Sequence, residues 1–178
     1  MDLLAAAQQT PTTLNLEETN MKTILSLSFG ALLLGASLAW AAGPAADPVI
    51  GTWKLNVAKS KFISGPVLKN QIRIYSQSGD SISLVNKSVG SDGKETTTQT
   101  TYKLDGKDYP VTGAPNWDTL SAKQVDSNTT EFTFKKGGKV VGNGSRTVSK
   151  DGKTMTSRQS LTDAKGEKSE VELVFDKQ

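Results

Sequence analysis

The chain has 178 residues, room for one domain, with 21 Lys and Arg against 18 Asp and Glu for a net charge of +3. It contains no Cys and no His. That excludes disulfides, thiolate catalysis and Cys-ligated metal, and removes the usual neutral-pH general base and the commonest nitrogen ligand for zinc or copper.

Residues 42–178 carry 20 basic side chains against 15 acidic ones, and the basic ones are nearly all Lys, spread thinly. This reads as solubility and edge protection; a nucleic-acid footprint would cluster on one face with stacking aromatics between, so no nucleic-acid partner is expected. Met21-Lys22-Thr23, the apolar run Ile24 to Ala39 and the ending Ala39-Trp40-Ala41 have the three parts of a secretory signal: a positive start, an apolar middle and small residues at the cleavage site. Residues 21–41 are therefore expected to be a signal peptide, with a retained transmembrane anchor as the alternative. Cleavage after Ala41 would release a periplasmic or secreted product with no stable membrane insertion. Residues 1–20 are acidic, the wrong charge for the start of a signal, and read as non-native or overcalled sequence ahead of a natural start at Met21. Residues 42–48 contain Gly43, Pro44 and Pro48 and read as a flexible lead-in. The folded domain is expected over 49–178.

That domain opens with Ile50-Gly51-Thr52-Trp53-Lys54-Leu55, where a period of two places Trp53 and Leu55 on one face. From Lys59 to Leu68 the chain is too short and too broken for a pair of helices, with room for a single turn near Ala58 to Phe62. It then punctuates itself at Ser78-Gly79-Asp80, Ser91-Asp92-Gly93, Asp105-Gly106, Asp126-Ser127-Asn128, Gly137-Gly138, Asp151-Gly152 and Asp163-Ala164-Lys165-Gly166. Asp-Gly and Gly-Gly tolerate positive φ and close hairpins, and the runs between are rich in Thr, Val, Ile, Phe and Tyr. One-sided alternation recurs in Ile72/Ile74, Ile82/Leu84, Tyr102/Leu104, Phe132/Phe134, Met155/Leu161 and Val171/Leu173/Phe175. The fold class expected is all-β, a single antiparallel up-and-down barrel of about 8–10 strands; a two-sheet sandwich has the same alternation and is the alternative.

The Gly51-Thr52-Trp53 strand, the secretory signal and the meander together resemble the calycin superfamily, the lipocalins and fatty-acid-binding proteins, over about residues 49–176. Gly51-Thr52-Trp53-Lys54-Leu55 is particularly similar to the first strand of a fatty-acid-binding protein. The resemblance implies a lipocalin-like barrel that holds a small hydrophobic ligand inside. The chain departs from it in three places. No helix precedes the last strand, and the segment after the first strand is too short for a two-helix lid. The Arg-x-Tyr that fatty-acid-binding proteins use in the last strand is missing from Glu170 to Asp176. Arg73-Ile74-Tyr75 has that spelling but lies in the second strand, opposite in phase to Ile72 and Ile74, and reads as coincidence.

The candidate ligand-binding residues are Trp53, Leu55, Ile72, Ile74, Tyr102, Leu104, Phe132, Phe134, Arg146 and Leu173. Arg146 shares a face with Val140, Gly142, Gly144 and Val148, so an unbroken strand points it into the interior, where it needs an anionic partner or a ligand headgroup. Two other readings stay open: a bulge at Gly142-Asn143-Gly144 that turns Arg146 to water, or an Arg stacked on Trp53 to seal the barrel floor, with Arg158 as rival. Trp117, after Pro110, Gly113 and Pro115, reads equally as a contact at a barrel mouth or as ordinary surface packing. No catalytic residue, metal site or cofactor is expected, since no nucleophile–base pair and no ligand spacing is present. The function expected is an exported barrel that binds a small apolar or amphipathic molecule. The alternative is a packed barrel whose surface binds another envelope or extracellular protein.

Overall fold

Turn chemistry and one-sided alternation build a meander that closes on itself. The structure, a computed structural model, describes residues 46–178; the expected leader, the signal peptide and residues 42–45 of the lead-in lie outside the described residues. The strands are β1 (Gly51–Leu55), β2 (Lys61–Ser64), β3 (Leu68–Ser78), β4 (Ser81–Gly90), β5 (Glu95–Tyr102), β6 (Asp105–Thr112), β7 (Thr119–Gln124), β8 (Thr129–Lys136), β9 (Lys139–Val148), β10 (Thr154–Thr162) and β11 (Lys168–Lys177). Each of β3 to β10 pairs antiparallel with the next, and β1 bonds both β3 and β11, closing a ten-strand up-and-down barrel. Closure leaves no long sheet edge.

β2 is an additional strand on β11, with Phe62 opposite Val171, while β1 holds the far end of β11 with Leu55 opposite Phe175. The two are successive stretches along one side of β11, separated where Asn56 caps a single 3-10 turn, Val57–Lys59. That turn is all the helix found where a two-helix lid would sit.

Six of the seven expected turns join consecutive strands. Asp105-Gly106 does not: it lies inside β6, where the register shifts between Asp105 and Asp108. β5 and β6 are registered at only two positions, Gln99 opposite Thr112 and Thr100 opposite Val111, the thinnest seam in the barrel. A glycine, Gly113, follows that seam; its φ is +79° and a Cβ there would run into the Thr97 carbonyl.

The register places a single core inside. Trp53, Met155 and Phe175 are fully buried, with Val49, Ile82, Leu120, Phe134 and Leu173 around them. The lead-in expectation gives way at its described end. Asp47 accepts from the Val49 N–H at 2.9 Å, its own N–H donates to Gln77 Oε1 at 3.0 Å, and the Ile50 N–H donates to the Asp47 carbonyl at 2.9 Å. The result is a tight turn that carries Val49, with no exposure, into the barrel end. Val49 in turn accepts the Trp53 indole N–H at 2.6 Å, which ties this turn to β1.

Candidate ligand-binding site

The strand phase that matters most is that of β3. Ile72 and Ile74 were expected inside, but the register puts Ile72 opposite Lys54 and Lys87 on the outer wall, and Ile74 is 41% exposed. The inward residues are Gln71, Arg73 and Tyr75, each about 5% exposed or less. Trp53 lies opposite Arg73, and Tyr75 opposite Leu84, so the buried partners on both neighbouring strands dictate this phase. Hydrophobicity alone inverts it because the inner face here is polar.

Arg146 points inward as the unbroken phase requires. The irregularity in β9 falls opposite Phe134 and Lys135, beyond the glycines, and leaves Arg146 opposite Thr130 and Ser157. Gly142 and Gly144 face Phe134 and Phe132 across the ladder, and a Cβ on Gly144 would sit 3.1 Å from the Phe134 ring. Gly144 therefore makes room for the Phe134 ring, and Gly142 for the close approach of β10 at Ser160 and Leu161.

The anionic partner that a buried Arg146 needs is supplied by the chain itself. Its Nη2 donates to Asp47 Oδ2 at 3.2 Å and to Thr130 Oγ1 at 2.9 Å, and its Nη1 donates to Tyr102 Oη at 2.9 Å. The guanidinium lies 5.4 Å from the centroid of Tyr75 and 5.6 Å from that of Phe132. Burial opposes its charge, but Tyr102, Tyr75 and Asp47 raise its pKa overall. Burial pushes the Tyr102 phenol above its usual range, outweighing the pull of Arg146, so the phenol keeps its proton. Neither Arg146 nor Arg158 seals Trp53: Lys177 Nζ lies 5.1 Å from that ring, and Arg158 faces outward to Glu172 at 2.8 Å.

Arg73 is the opposite case. At 5% exposure it is nearly as buried as Arg146, and its Nε, like that of Arg146, has no hydrogen-bond partner, yet among the described residues no carboxylate lies within 4 Å of it. The Phe175 ring centroid lies 4.5 Å from the guanidinium. Across the ladder lies Asn86, whose buried Oδ1 is also without a partner, and beyond it Thr98.

These groups border an interior cavity of about 50 Å³, lined by Arg73, Tyr75, Asn86, Tyr102, Phe132, Phe134 and Arg146 among others. That is room for a few waters or a small polar head. Trp117 and Gln159 line it and also line a second cavity of about 270 Å³ at the end of the barrel away from Asp47. The second cavity is bordered by Pro66, Leu68, Gln71, Pro115, Leu161, Val171 and Leu173. Trp117 packs against Phe134 with centroids 4.7 Å apart and borders both cavities.

Of the ten sequence candidates, the structure brings Tyr102, Phe132, Phe134 and Arg146 around the interior cavity and Leu173 to the mouth. Trp53 and Leu55 are core and line neither cavity, and Leu104 borders a separate depression at the Asp47 end. Sequence reasoning missed Arg73, Tyr75, Asn86 and Gln159. The Arg73-Ile74-Tyr75 spelling was the available signal for the first two.

No protein-family model matches the chain, and no curated protein matches it. Solved structures similar to it include a redesigned β-barrel, mFAP1, bound to DFHBI, at 14% identity over 73% of this chain and 95% of that one with a TM-score of 0.43. Another is Rv2717c from M. tuberculosis, at 10% identity over 74% of this chain and 93% of that one with a TM-score of 0.49.

Proposed function

We propose that the protein is an exported, calycin-like barrel that binds a small amphipathic molecule, entering at the mouth beside Trp117 and reaching toward the interior. The observation that carries the reading is the position of Trp117 and Gln159, each on the wall of both cavities. Together the two spaces come to about 320 Å³, the lower end of ordinary small-molecule sites. The mouth offers apolar surface from Leu68, Trp117, Leu161 and Val171, and the interior offers hydrogen-bonding groups. Export is supported by the Met21 to Ala41 pattern. A binding role, and not catalysis, is supported by a chain without His or Cys.

The test is calorimetric titration of residues 42–178 with octanol, alongside bromine-labelled octanol as a short-range quencher of tryptophan. Saturable heat is expected, with quenching that disappears in Trp117→Phe while the heat remains. Absence of heat, or quenching that persists without Trp117, would overturn the reading. The packed-barrel alternative draws on one observation, the small size of the interior cavity, and it predicts no heat.

A further inference from the structure

We infer that the barrel self-associates head to tail, with the outer wall of β3 and β4 in one copy seated in a trough on the outer wall of β9 and β10 in the next. The inference uses only the outside of the barrel and goes beyond the small-molecule reading.

The starting point is the pair of isoleucines that β3 turns outward. Ile72 and Ile74 share one outer face, and Ile74 stands opposite Val85 on β4. Ile72 is flanked across the ladder by Lys54 on β1 and Lys87 on β4, both exposed. Among the described residues neither lysine has a carboxylate within 4 Å; Asp176, opposite Lys54, is drawn instead to Asn56 at 2.7 Å and Lys59 at 3.4 Å. The face is therefore a short apolar ridge with positive charge on both sides and no counter-charge. Pairing it with its own copy would set Lys against Lys, so its partner surface must be acidic.

The same chain carries such a surface. On the outer wall Glu131 of β8 stands opposite Ser145 of β9, and Ser145 opposite Arg158 of β10; in the neighbouring row Asn143 stands opposite Ser160, and Ser160 opposite Glu170 of β11. The short side chains of Asn143, Ser145 and Ser160 form the floor of a trough of about 300 Å³, which Ile63, 61% exposed, also borders. Arg158 and Lys61 both pair with Glu172, at 2.8 and 3.5 Å, but among the described residues Glu131 and Glu170 have no basic group within 4 Å. These two carboxylates stand about 14 Å apart across three strand spacings, and the two lysines about 10 Å apart across two, a difference that long Lys stems span. Seated in the trough, the ridge sets its lysines toward those carboxylates and its isoleucines over the short side chains and Ile63.

Ridge and trough lie four strand positions apart in the ring of ten, so the contact joins unlike faces and repeats from copy to copy. A contact confined to a few strands is smaller than a stable interface, so the association is weak and needs high protein concentration.

The experiment is sedimentation equilibrium of residues 42–178 from about 10 μM to about 1 mM, at low salt and at about 0.5 M salt. The average mass is expected to rise with concentration past that of two copies, and to rise less at high salt. The double variants Lys54→Glu/Lys87→Glu and Glu131→Lys/Glu170→Lys should each associate at least about 10-fold more weakly, because each makes ridge and trough alike in charge. Mixing the two variants should restore association, since each ridge then meets a trough of opposite sign. Adding Ile74→Ser to both should weaken the mixture again, which mere attraction between oppositely charged barrels would not do. Single copies at every concentration, with or without binding to phosphatidylglycerol vesicles, would overturn the inference. So would an association that the lysine reversals abolish and the glutamate reversals leave intact.

Discussion

Asp47 and Arg146, 99 residues apart in the chain, meet at 3.2 Å inside one end of the barrel, with side chains 9% and 2% exposed. The pair ties the segment before the first strand to the middle of β9 and removes Arg146 from the list of free cations. Breaking it from either side leaves a buried charge alone. Asp47→Ala and Arg146→Met should each cost about 3–5 kcal/mol, and the double variant should cost less than the two together. Urea denaturation of residues 42–178 and its three variants reads the cycle. Additive losses would mean that the pair is not coupled.

Arg73 should behave in the reverse way. Since no carboxylate among the described residues pairs with it, Arg73→Met removes a buried charge that lacks an ion pair there and keeps apolar volume against Phe175. The apo protein should be unchanged or more stable by about 1 kcal/mol, allowing for the lost ring contact. A loss on the scale expected for Arg146→Met would show that Arg73 has a structural partner.

Gly144 should resist substitution. A Cβ there would meet the Arg158 carbonyl at 2.9 Å and the Phe134 ring at 3.1 Å. Gly144→Val should lower stability by about 1–3 kcal/mol and disturb the packing of the Phe134 ring. Thermal melting checks the first effect, and near-ultraviolet circular dichroism checks the second.

Stability should be nearly flat from about pH 5 to 8, because no His titrates there. Backbone N–H groups of Lys107, Gly137 and Asn128 hold Asp105, Asp118 and Asp126 below their ordinary pKa, the Ser149 hydroxyl does so for Asp151, and Arg158 for Glu172. A carboxyl depressed in the fold stabilises above its unfolded pKa and loses that contribution as pH falls through its folded value. Melting temperature should therefore decline below about pH 4 and not before. A decline already under way at pH 6 would contradict this assignment.

Much of the barrel was legible because its turns are written in Asp-Gly and Gly-Gly and because β8, β10 and β11 alternate cleanly, as in Phe132/Phe134 and Leu173/Phe175. β3 was misread for a physical reason. Its apolar residues, Ile72 and Ile74, face outward, and its polar ones close the interior, so only the partner strands reveal the phase. Asp47 was missed because Asp47-Pro48 reads locally as linker. The one hint was that an inward Arg146 demands an anion, and Asp47 stands immediately ahead of the first strand. The position of Trp117 depended on how the Gly113 to Asn116 loop folds back, which short-range patterns leave open.

The most direct test of ligand binding is native mass spectrometry of residues 42–178 recovered from the periplasm. The account predicts a discrete non-covalent adduct of a small amphiphile, released on denaturation. A bare protein that remains bare after incubation with octanoate and octanol would contradict it.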